Sequence, residues 1–258
     1  MKLTLVNSAF ATAMLATALP SFAQMPAPAM VATARIEVKR DRIPEFEEVE
    51  KQVTASYKKA ASTDQFRVVY RAVVGNTAEY WVLTPLYKFA DRDADSPYDK
   101  MTTERERAMR AARLAPYVES VRTSIERAIP ELSVTSPGTP FPPTWVRYIR
   151  VRVRPGTTEQ LIAAVKTDVL PAMKKLNGEL RVRQTLYGGN ANDFIVASGF
   201  EKWSELDDAA ALPKAMGDET FRKFEDKIHA IETNVEEYIM AYQKDLSYYP
   251  GAAATSSR

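Results

Sequence analysis

The chain has no cysteine and only one histidine in 258 residues. The missing cysteines exclude a disulfide framework, a thiolate nucleophile and a lipid-attachment cysteine after a leader. A single histidine argues against a zinc site, which draws on three or four ligands. It also leaves any Ser-His-Asp triad dependent on His229, and no Gly-x-Ser-x-Gly elbow supports one. No apolar run reaches the ~20 residues that a spanning helix needs. Neither sign of charge dominates: without Lys2, 34 basic side chains (35 − 1) face 33 acidic ones. Bulk charge therefore gives no reason to expect nucleic acid or a membrane surface as partner.

The amino terminus has the pattern of a secretory signal peptide. Met1-Lys2 is a short basic region, Phe10 to Leu19 is apolar, and Ser21-Phe22-Ala23 places small residues at a cleavage site before Gln24. The expected product is exported, periplasmic or secreted, with no membrane segment left after cleavage. Residues 24–30 read as a disordered arm, and 251–258 as a frayed tail. Between them the chain repeats itself. Gly75-Asn76-Thr77-Ala78-Glu79-Tyr80 returns as Gly189-Asn190-Ala191-Asn192-Asp193-Phe194, a shift of 114 residues (189 − 75). The same shift carries Arg67-Val68 onto Arg181-Val182, Val121 onto Val235 and Leu132-Ser133 onto Leu246-Ser247. A period this long marks a duplicated domain, because solenoid units recur every ~20–50 residues. The repeats are 31–135 and 144–250. The proline-rich 136–143 is the linker, unsuited to a helix or a sheet interior.

Within each repeat the element order is the same. Ala34, Ile36 and Val38 alternate as a first strand, matched by Ile149, Val151 and Val153. A helix follows, from Pro44 in the first copy; in the second, Thr157 and Gln160 have capping-box spacing, Pro171 should kink or interrupt it, and Asn177-Gly178 ends it. Hairpins are expected at 66–74 with 80–86 and at 181–187 with 193–200. A second, longer helix is predicted over 103–128. Its counterpart carries the stripe Phe221, Phe224, Ile228, Ile231, Val235 and Ile239. Closing strands are placed at 132–135 and 246–249. The expected fold is α+β, two tandem ferredoxin-like βαββαβ repeats forming one intramolecular α+β barrel.

That element order, with the phrase Glu201-Lys202-Trp203-Ser204-Glu205-Leu206-Asp207 after the third strand, resembles the dimeric α+β-barrel superfamily. The similarity is to NIPSNAP-like and antibiotic-biosynthesis-monooxygenase-like domains. It implies two sheets face to face with helices outside. The superfamily includes cofactor-free monooxygenases, haem proteins and domains without known chemistry, so fold decides little about function. Because haem-binding relatives such as chlorite-dismutase-like proteins take an axial histidine from their second repeat, the resemblance makes His229 the candidate haem ligand. Read from the sequence, His229 sits off the apolar stripe between Glu225 and Glu232, a solvated flank rather than the dry pocket that an axial ligand needs.

The other candidates are arginines on strands. Arg150, Arg152 and Arg154 share one face of a strand, and Arg181 and Arg183 share a face of another. The first copy offers Arg35, Arg67 and Arg71. In a closed barrel these side chains point inward or into the contact between repeats. Either the protein balances them, with Glu37 and Glu79 as candidates, or a carboxylate or phosphate ligand does. A one-residue strand slip would reverse the whole face. The expected function is an exported, non-catalytic barrel that binds a small anionic or amphipathic ligand or self-associates. The alternative is an oxidoreductase, cofactor-free or haem-dependent. No catalytic residue and no metal site is nominated.

Overall fold

The structure, a computed structural model, describes residues 27–60, 62, 64–135, 141–208 and 210–250. The predicted leader, most of the linker and the tail lie outside the described residues. Eight antiparallel strands close a barrel in the cyclic order β1-β3-β2-β8-β5-β7-β6-β4. The N-terminal half supplies β1 (Met30–Val38), β2 (Val68–Val74), β3 (Glu79–Leu86) and β4 (Val118–Ala128). The C-terminal half supplies β5 (Trp145–Val153), β6 (Arg181–Tyr187), β7 (Asp193–Phe200) and β8 (Glu232–Tyr242). Two seams join the halves. At one, β2 pairs with β8 from Tyr70↔Tyr242 to Val74↔Ile239; at the other, β4 pairs with β6 from Ile125↔Tyr187 to Ala128↔Arg183.

Helices lie outside. In the first half they are α1 (Ile43–Ala60), α2 (Pro97–Met101) and α3 (Glu104–Leu114). In the second they are α4 (Thr158–Ala164), α5 (Leu170–Lys175), α6 (Ala211–Met216) and α7 (Asp218–Ile231). α1 docks by Phe46, Val49, Val53 and Tyr57, spaced three or four apart so that they share one face. A π-helical turn, Val165–Val169, separates α4 from α5 just before Pro171, which cannot donate a backbone hydrogen bond. The segment ends as expected, with Asn177 at a positive φ of 49°. Thr157 precedes α4 without capping it, since its hydroxyl donates back to the Arg154 carbonyl.

The fourth strand of each half differs from the sequence reading. The helix expected over 103–128 stops at Leu114 and the chain continues as β4; likewise α7 stops at Ile231 and β8 follows. The segments expected as closing strands are short 3-10 turns followed by single bridges, Val134↔Leu180 and Arg67↔Tyr248. Val121 and Ile125, like Val235 and Ile239, are four apart and mimic a helical stripe. Pairing along all of β1 and β5 overrides that periodicity.

The barrel interior is packed, not open. Val68, Tyr70, Trp81, Leu83, Val146, Tyr148, Ile195 and Met240 fill it. Trp81 and Tyr148 have ring centroids 4.8 Å apart, and Tyr70 meets Tyr148 edge-on at 6.1 Å. Burial raises the phenols of Tyr70 and Tyr148, keeping both neutral.

Candidate functional site

Two places bring polar side chains together. The first is the end of the barrel interior, where β1, β3, β5, β7 and β8 project charges inward. Arg35 Nε donates to Glu79 Oε1 at 2.6 Å, and Trp81 Nε1 donates to the same oxygen. Arg35 Nη2 reaches the Tyr238 hydroxyl at 3.0 Å, which donates to Glu236. Arg150 lies between Glu236 (3.5 Å) and Asp193 (2.5 Å), and Arg152 Nε donates to Asp193 at 2.6 Å. Glu79, Arg35, Glu236, Arg150, Asp193 and Arg152 thus alternate in sign along one row. Burial alone would raise the Asp193 carboxyl, but hydrogen bonds from Arg152 and Arg150 outweigh it and hold the carboxyl below its ordinary range. The cavity beside this row, lined by Arg35, Arg122, Arg150 and Ser124 among others, is about 70 Å³. It has room for a few waters and not for an organic ligand.

The structure therefore divides the eight strand arginines. Arg35, Arg150, Arg152, Arg181 and Arg183 lie on the inward face. Arg181 pairs with Glu179 at 2.5 Å and Arg183 with Glu126 at 3.0 Å. Arg154 lies beyond the end of β5 and is exposed. Arg67 and Arg71 are on the opposite face, toward the helices. Arg67 is buried against Glu50 of α1 and the Leu246 carbonyl, and Arg71 faces Glu47 at 3.6 Å. Their grouping with the inward arginines is corrected by register. Val68↔Leu83 occupies the place of Arg181↔Ala197, so the second strands align on a shift of 113 (181 − 68), not 114. One residue of slip exchanges the faces. Of the expected internal counter-ions, Glu79 serves Arg35, whereas Glu37 accepts from Asn76 and Ser120.

His229 lies in the last turn of α7 with its side chain 67% exposed, Nδ1 being 3.6 Å from Glu232. It lines neither the small cavity of the barrel interior nor the larger one outside the sheet.

That larger cavity is the second place, and it escaped the sequence reading. Between the outer face of β1, β3 and β4 and the layer of α1, α2 and α3 lies a space of about 730 Å³. Tyr57 and Tyr98 supply aromatic walls; Ala34, Ile36, Val53 and Leu114 supply apolar ones. Glu50, only 5% exposed, reaches it with its partner Arg67. Burial raises the Tyr57 phenol, opposed by nearby Arg67. Arg107 and Arg110 come from α3, a helix with no buried residue of its own. Tyr187 and Gly188, from the β6–β7 hairpin of the other half, close the rim. The corresponding space in the C-terminal half is filled by Leu161, Val165, Val169, Phe194, Ile231 and their neighbours. The sequence carried a signal for this difference: Phe221 and Phe224 of the apolar stripe stand 114 residues beyond Arg107 and Arg110 (224 − 110).

No protein-family model matches the sequence, and no curated protein matches it by sequence. Solved structures match by shape. An anthrone oxidase-like protein superposes with a TM-score of 0.60 at 11% identity, covering 86% of this chain and 94% of its own. A candidate monooxygenase from Lactobacillus acidophilus NCFM gives 0.56 at 10% identity, covering 87% of this chain and 98% of its own. A variant of the chlorite dismutase from Candidatus Nitrospira defluvii gives 0.53 at 10% identity, covering 85% and 94%. The chain has the dimeric α+β-barrel fold. Identities this low establish the fold alone.

Proposed function

We propose that this chain is an exported tandem of two ferredoxin-like βαββαβ units, acting as an oxidoreductase of the cofactor-free monooxygenase type. The 730 Å³ sheet–helix cavity of the N-terminal half is its substrate pocket. That asymmetric cavity is the observation that carries the reading. A filled core in both halves would suit a purely structural pair, whereas an apolar and aromatic pocket with a few polar groups suits a small organic substrate. The shared fold of monooxygenase and anthrone oxidase-like proteins supports the oxidoreductase class over a non-catalytic binder. The chemistry needs no resident redox group if the substrate is an ionisable aromatic. A CH₂ flanked by rings loses a proton, the carbanion takes up O₂, and the resulting hydroperoxide sheds water. R₂CH₂ and O₂ thereby become R₂C=O and H₂O.

Haem, the cofactor that the resemblance to chlorite-dismutase-like proteins implies, meets a poor donor set here. Among the described residues the pocket lining contains no histidine, cysteine or methionine, and burial raises the phenol of its Tyr57, which opposes the phenolate that a tyrosine ligand would supply. His229 offers an exposed imidazole beside a carboxylate instead of a dry axial position.

Oxygen uptake by the mature protein with anthrone as substrate tests the proposal. The expected result is catalysed uptake that Ala34→Phe, which adds bulk to the pocket's sheet wall, reduces at least tenfold with Tm preserved. Uptake no faster than in buffer, or unaffected by Ala34→Phe, would sink it. A Soret band in purified protein would instead favour a haem protein.

A further inference from the structure

We infer that the pocket's substrate is an aromatic anion, a flat ring system conjugated to a carboxylate or phenolate, and that Arg110 is the residue that anchors its charge. This rests on the pocket reading above and goes beyond it to the substrate class. Four arginines line the cavity, Arg67, Arg92, Arg107 and Arg110, against two carboxylates, Glu50 and Asp99. Two of the four are already engaged. Arg67 pairs with Glu50 and donates to the Leu246 carbonyl. Arg107 faces Asp99 at 3.4 Å and donates to the carbonyls of Asp99 and Thr102. The lining therefore holds two positive charges that no lining carboxylate answers.

Those two differ in place. Arg92 is exposed. Arg110 is half-buried, and its Nε has neither solvent nor a hydrogen-bond partner among the described residues. Its guanidinium lies over the Tyr98 ring, 4.1 Å from the centroid. That position supplies a favourable cation–π contact, yet it satisfies none of the N–H donors. The closed Nε–H is out of a ligand's reach as well, so the charge of Arg110, which lines the cavity, is left for a partner to answer at its other N–H groups. An oxyanion is the partner that a guanidinium edge matches best. The rings of Tyr57 and Tyr98 in the cavity wall then favour a flat aromatic body over an aliphatic chain.

The internal shift supports the same conclusion. At the place of Arg110 the C-terminal half has Phe224, which packs in an apolar core. An apolar residue is thus acceptable to the fold there, so packing does not call for an arginine. The arginine places a charge on the cavity wall where the other half has an apolar ring.

The test uses two fluorescent probes of matched shape, 9-anthracenecarboxylate and the neutral 9-anthracenemethanol, titrated into the full mature protein. Wild type should bind the carboxylate at least tenfold more tightly, in line with one or two charge-assisted hydrogen bonds. Arg110→Gln should remove that preference while leaving the alcohol's affinity unchanged; Arg110→Lys should restore part of it. Arg92→Gln, at an exposed position that cannot threaten folding, should lower carboxylate affinity a few-fold and flatten its salt dependence. Equal binding of both probes by wild type, or a preference that survives Arg110→Gln, overturns the anion inference and leaves the pocket reading standing. If wild type binds neither probe, the pocket reading itself fails and this inference with it.

Discussion

Asp193 has no exposed side-chain surface, and it accepts from two arginines. Its carboxyl titrates below the ordinary aspartate range because the hydrogen bonds to Arg152 and Arg150 outweigh its burial. A depressed folded-state value means that the unfolded chain binds a proton first as pH falls. The contribution to stability is therefore complete above the unfolded value, about 3.9, and disappears as pH falls through the lower folded one. Asp193→Asn should lower Tm at pH 7 and flatten the acid limb of Tm against pH; an acid limb identical to wild type would refute the assignment. Gly188 makes a second prediction at this scale. Its φ is +75°, and a Cβ there would stand 2.0 Å from the Thr123 carbonyl oxygen, a backbone atom. Gly188→Ala should lower Tm and loosen the pocket rim, visible as weaker binding of any ligand held there.

Among the elements, the two seams are built differently. The β2–β8 seam is aromatic, with Tyr70 and Tyr242 5.8 Å apart. The β4–β6 seam is held by the buried Arg183–Glu126 pair, whose remaining acceptors are used by Thr33 and Ser124. Leaving one partner of a buried pair alone costs about 3–5 kcal/mol. Glu126→Gln should fall near that range in denaturant unfolding, while Arg183→Met with Glu126→Leu should recover much of it. These strands also show what could be read in advance. First strands, first helices and hairpins were legible, because alternation and Gly-Asn turns are local signals. β4 and β8 were not: Val121 and Ile125 fit a helix by spacing, and only their β-branched character argued otherwise. The inward course of Arg150 and Arg152 followed from Val151 and Val153 packing on helices. Arg67 and Arg71 could not be placed, since a shift of 113 in one strand against 114 elsewhere is invisible without pairing. The pocket stayed hidden because Arg110 reads as a surface residue until Tyr98, twelve residues earlier, is seen beneath it.

For the whole molecule, closure depends on both halves. Residues 27–135 alone would expose Val68, Tyr70, Trp81 and Leu83, which now face the barrel interior. Expressed separately, that half should self-associate or aggregate, as light scattering after size exclusion would show; a stable monomer would contradict the shared core. The same interior gives the protein an optical label of its own. Of three tryptophans, Trp81 is 1% exposed, its ring under the Arg35 guanidinium and its N–H on Glu79, whereas Trp203 is 44% exposed. Emission from the native chain should split into a blue component that acrylamide cannot reach and a red one that it quenches. Any event that parts the strands, from acid to a loosened seam, can then be timed by the moment the protected colour is lost.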